Sequence, residues 1–160
     1  MSGRSWQAFA DALQAENAAL GELGAAALEL TRALVFGNAA AIEAADRQVN
    51  ARRMLHAEAC QRRTKMMTEG FGDLPLRQVC AYAPAPMRRE LFVTLRELRT
   101  RGVALKITLG NNKALITAGL KRIAAILTAL QKSVAERTGT YRRRGRIETS
   151  NASIIMSRKA

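Results

Sequence analysis

Proline is scarce in this chain: only Pro75, Pro84 and Pro86 occur in 160 residues. The proline-free stretches on either side lack the commonest helix breaker and leave room for long helices. Residues with strong β preference are thinly spread and never alternate over a useful run, which excludes strands and predicts an all-α fold. Cysteine is limited to Cys60 and Cys80. They fall in different predicted segments, and in a reducing compartment such a pair is expected as two free thiols. Histidine is limited to His56, which shares a helical face with Cys60. Two ligands from one helix, with no carboxylate or cysteine cluster to complete them, make no metal site. Neither a glycine-rich phosphate loop nor a nucleophile motif occurs. No catalysis, cofactor or metal is therefore expected. Long apolar runs are lacking too: nothing approaches the roughly 20 uninterrupted apolar residues that span a bilayer, so no transmembrane segment is expected. Met1–Leu13 contains Asp11 and no continuous apolar stretch, unlike a secretory signal, which points to a cytoplasmic location.

What the chain does have is spacing. A mostly apolar stripe passes through Leu91, Leu95, Leu98, Gly102, Leu105, Leu109, Asn112, Ile116, Gly119, Ile123, Ile126, Leu130 and Ser133, every step three or four residues. Such a period keeps one edge of an α-helix against a partner helix, as in hairpins and coiled coils. A second stripe runs through Trp6, Phe9, Leu13, Glu16, Leu20, Leu23, Ala27, Leu30 and Leu34, with Ser5 placed to cap its start and Gly37 to end it. Glu16, on that inner line, reads as a partner for a basic residue of the next helix rather than as an acid in a pocket. Asn38 can cap a second helix whose inward line includes Ile42, Ala45, Val49, Ala59 and Met66, ending at Gly70-Phe71-Gly72. Its polar face is read as carrying Arg47, Arg52, Arg53, Arg62, Arg63 and Lys65. The aromatics Trp6, Phe9, Phe36, Phe71 and Phe92 fall on or near these core lines.

The expected fold is thus an elongated antiparallel three-helix bundle or coiled coil, with a very long C-terminal helix and a flexible basic tail. Its helices are placed at about 5–36, 39–69 and 86–137, forming a helical bundle over 1–137, the one domain that a chain of this size holds. The connector 73–85 is broken by its prolines, with a short extra helix allowed from Leu76 to Tyr82. Pro86 suits the first turn of the last helix, which at 1.5 Å per residue would reach on the order of 75 Å. After Thr138-Gly139 the basic tail, 138–160, holds Tyr141 and Arg142-Arg143-Arg144-Gly145-Arg146.

Beyond Asn112 the last helix carries two apolar lines side by side, with Leu115, Ile116, Leu120, Ile123, Leu127, Leu130 and Val134 prominent. One neighbouring helix covers one such line. The width admits two readings: burial on both sides inside the bundle, or a face left for an amphipathic helix of another protein. Asn112, at a core-facing position, reads as a peg that fixes register against a second polar group.

Basic residues outnumber acidic ones 26 to 13, for a net charge of +13. Met87–Arg137 carries eleven basic and three acidic residues, and Thr138–Ala160 six and one. That surplus supports an alternative function as a basic helical protein binding nucleic acid or another anionic surface such as lipid. No zinc ligands, recognition-helix motif or aromatic stacking platform accompanies it.

Asn112 followed by Leu115-Ile116 resembles the Asn-Gly-x-Leu-Ile stretch in the long last helix of the FlgN family of flagellar type III export chaperones. Thr140-Tyr141 with Gly145 resembles that family's Tyr-x-x-x-Gly ending. The layout is similar as well: a long first helix, an arginine-bearing second helix ending in glycine, and a long last helix with a loose tail. The resemblance implies an all-α cytosolic chaperone without catalysis or cofactor. It would bind amphipathic terminal helices of hook-associated junction proteins resembling FlgK and FlgL, prevent their premature assembly, and deliver them for export. Client contacts are then expected at Leu115, Ile116, Leu120, Ile123, Leu127, Leu130 and Val134. Tyr141 would dock on an export gate component resembling FlhA, or fold its ring back on the bundle.

Overall fold

Four helices and no strand make up residues 3–139, the part that the computed structural model describes, with side chains for 5–135. They are α1 (Gly3–Phe36), α2 (Ala39–Phe71), α3 (Leu76–Ala81) and α4 (Ala85–Gly139). The fold is all-α.

Local chemistry sets the helix ends. Gly37 takes φ 71°, open to a residue without a Cβ, and its N–H donates to the Ala33 carbonyl to close α1. Asn38 then caps α2, its Oδ1 accepting from the N–H groups of Ala40 and Ala41 at 3.0 and 3.2 Å. Gly72, at φ 64°, ends α2. The expected cap at Ser5 does not form, because α1 already begins at Gly3 and Ser5 lies inside its first turn. At the other end α4 continues through Thr138 and Gly139, past the expected stop at 137. The rest of the predicted tail, 140–160 with Tyr141, lies outside the described residues.

The chain divides into two units, Met1–Ile116 and a second that begins at Thr117, so the boundary falls inside α4. In the first unit α1 is the central element. Its predicted line is buried from Trp6 through Leu30, with only Leu34 half-buried. Glu16 and Glu22 of α1 pair with Arg63 and Arg52 of α2, a descending order that makes these two helices antiparallel. Gln14, Asn17 and Thr31 bond Glu90, Glu97 and Asn112 of α4, an ascending order that makes α1 and α4 run the same way. Up, down and up again is the expected three-helix arrangement.

The core concentrates where α3 closes this bundle. Trp6, Phe9, Ala10 and Leu13 meet Val79, Cys80, Ala83 and Leu91, with Met67, Phe71 and Leu95 packed around them. Trp6 and Phe71 have ring centroids 4.9 Å apart, and Phe9 meets Phe71 edge-on at 6.0 Å. Each large side chain buried there contributes about 1.5–3 kcal/mol. Arg88 donates two hydrogen bonds to the buried Ala83 carbonyl and so ties the connector to the start of α4.

Three expectations about faces need correction. Phe36 is not near the core: it is 83% exposed at the α1–α2 corner, because α1 ends there and nothing stacks over its last turn. Arg52 and Arg63 do not belong to the outer face of α2. They lie on its inward line with the half-buried Ile42, Ala45, Val49, His56, Ala59 and Met66, and each finds a glutamate of α1. Leu109 leaves the α4 stripe at 41% exposure, because the step after Leu105 is three residues and brings the half-buried Thr108 inward instead.

Candidate functional site

The contrast along α4 begins at Asn112. Its side chain is 3% exposed; Nδ2 donates to the Ala27 carbonyl at 2.9 Å and Oδ1 accepts from the Thr31 hydroxyl at 2.7 Å. Thr31 is the second polar group that a buried amide needs, and the pair holds α1 and α4 in one register. About three to four turns earlier, Asn17 Nδ2 donates to Glu97 at 2.8 Å while Arg101 donates to the Asn17 carbonyl at 2.7 Å. The guanidinium of Arg101 lies against Gly21, where a Cβ would stand only 2.7 Å from Nη1. This polar staple has no sequence signal of its own, since Glu97 and Arg101 lie off the apolar stripe of α4.

From residue 113 to residue 135 every side chain is exposed. Leu115 and Ile116, at the end of the first unit, are part of that run. In the second unit Leu120 is 62% exposed, and Ile123, Leu127, Leu130 and Val134 are each at least half exposed. Helical spacing of three, four, three and four places these five on one ridge, with Ile126 broadening it. None of the seven predicted contact residues is enclosed by the described helices. A ridge of this kind can offer apolar area to another amphipathic surface, and it carries no group suited to bond-making chemistry.

Charge divides along the same helix. Between Leu98 and Ala135 the sequence contains no aspartate or glutamate, while Lys121, Arg122 and Lys132 stand exposed in the second unit. Four arginines of α1 and α2 are matched instead: Arg32 with Glu29, Arg47 with Glu43, Arg52 with Glu22 and Arg63 with Glu16. The Glu16–Arg63 pair is the buried one. Burial opposes the Arg63 charge, yet the hydrogen bonds and attraction of Glu16 and Cys60 together outweigh it and hold the guanidinium above its ordinary value.

Other candidate chemistry is thin. Cys60 and Cys80 are both free. Cys60 accepts a hydrogen bond from Arg63 at 3.6 Å, and burial pushes the Cys80 thiol up against the opposing pull of its backbone and Arg63. Among the described residues no three metal-ligating side chains come together, His56 and Cys60 included. An open groove of about 700 Å³ between α1 and α4 is lined by Ala18, Gly21, Gly24, Leu28, Ala104 and Leu105. It holds no cluster of catalytic groups.

One property of α4 departs from expectation. By length and composition α4 is long and apolar enough to cross a membrane, although no such stretch was expected. Charges and polar residues scattered along it break every uninterrupted run, but over one 18-residue stretch the average apolarity remains high. Lys121 and Arg122 fall at the centre of the most apolar run, Ala114–Leu130. Comparison with family models, with curated proteins and with solved structures finds no match for this chain.

Proposed function

We propose that this protein is an export chaperone of the FlgN type, which acts in the cytoplasm by binding and performs no catalysis. It holds amphipathic terminal helices of hook-associated junction proteins resembling FlgK and FlgL. The observation that carries this reading is the exposed ridge of Leu120, Ile123, Leu127, Leu130 and Val134, with Leu115 and Ile116 exposed before it. A ridge of isoleucine, leucine and valine at helical spacing suits the apolar face of another helix, which it would keep from assembling early. Five such side chains offer on the order of 10 kcal/mol gross, much of which association consumes, so the hold is reversible, as delivery requires. Tyr141 then serves as the docking residue for an export gate component resembling FlhA.

The test is capture of the organism's own purified junction proteins by the full chain. Ile123→Asp combined with Leu127→Asp is expected to abolish capture while far-ultraviolet dichroism shows helicity retained. Unchanged capture by the folded double variant overturns the surface. Strong binding to arbitrary DNA that falls steeply with salt, with no client held in high salt, favours the basic-surface alternative.

A further inference from the structure

The second unit distributes charge and apolar surface in a way that a protein client does not require. Lys121 precedes Ile123 by two residues and Lys132 follows Leu130 by two, each a turn of ~200° about the helix axis. Both lysines therefore lie on the side opposite the ridge. Arg122, one turn before Ile126, borders it. Among the described residues none of these three makes an ion pair; no acid lies between Leu98 and Ala135, and Glu136 is the one acid that follows Lys132 in α4.

From this segregation we infer that the second unit also lies on anionic lipid, with the Leu120–Val134 ridge sunk into the acyl boundary and its lysines level with the headgroup phosphates. An amphipathic helix with basic residues on its polar face and leucine on the other settles some 5–10 Å into that boundary. Three features favour lipid over a second copy of the chain or another helix for this arrangement. The ridge is two lines wide with Ile126 included, and a planar surface covers the whole width where one helix covers one line. Between Leu98 and Ala135 the charges are all of one sign, so a second copy brings this ridge no complementary charge. The apolarity of α4 reaches what crossing a membrane demands, yet Lys121 and Arg122 at the centre of the run make spanning costly and lying in the interface favourable.

Client and lipid would use the same ridge and exclude each other, but the inference stands apart from the chaperone reading, since client capture is measured without lipid. The test is flotation of the full chain with phosphatidylcholine vesicles, with and without about a quarter phosphatidylglycerol. The expected result is binding to the anionic vesicles alone. Ile123→Asp with Leu127→Asp should remove it, and Lys121→Gln with Lys132→Gln should weaken it about 30-fold, helicity being retained in both. Three outcomes overturn the inference: no binding to either vesicle, equal binding to both, or anionic binding that survives the aspartate pair and so comes from the basic residues 142–146.

Discussion

The line along α1 and the ridge at the end of α4 are written with the same spacing and meet opposite fates. Phe9, Leu13, Leu20 and Leu23 are buried; Ile123, Leu127, Leu130 and Val134 are exposed. Both advance by three and four residues, and both are rich in leucine. Periodicity therefore records that a face is meant to be covered, and it carries no information on whether the cover belongs to the same chain. Charge does carry some. Glu16 and Glu22 of α1 answer Arg63 and Arg52 of α2, whereas Lys121 and Arg122 of α4 have no acid within three turns in sequence, as on a surface awaiting an outside partner.

The largest test of this contrast is one truncation made in both places. Phe9→Ala should destabilise the first unit by about 3–5 kcal/mol, while Ile123→Ala should stay within about 0.5 kcal/mol, both read from urea unfolding. Similar losses at the two sites would mean that the ridge is covered in solution. Next in size is Arg63→Ala, which strands the buried Glu16 carboxylate and should cost about 3 kcal/mol; Arg47→Ala, whose partner Glu43 is exposed, should cost little. Asn112→Ala marks the border between the regions. Loss of its bonds to Thr31 and Ala27 should cost about 1–2 kcal/mol, with amide exchange rising around Thr31. The smallest effect is a gain: Gly24→Ala meets nothing within 4 Å and should raise stability by about 0.5–1 kcal/mol, visible as a higher thermal midpoint.

Much of the fold could be read before any coordinates. The α1 line is right in nearly every position, Gly37 and Asn38 act as stop and cap, and Leu76–Ala81 forms the short helix allowed between the prolines. Sorting charged residues outward by type misplaces two arginines of α2. Arg52 and Arg63 sit at positions 42, 45, 49, 52, 56, 59, 63 and 66 of a regular inward line, and strict counting would have placed them there. No such count finds the Asn17–Glu97–Arg101 staple, because its partners are about 80 residues apart in sequence and meet only when α1 and α4 align. Phe36 failed for a different reason: an aromatic at a helix end is buried only if something packs over that end.

The sequence by itself determined that this protein is helical, where α1 ends and α2 begins, and which edge of each long helix is apolar, because capping chemistry and a 3.6-residue period are local. The tertiary structure alone decided which apolar edges find cover within the chain and which charges find partners. Burial and pairing are relations between helices, and they depend on how far one helix runs beside another.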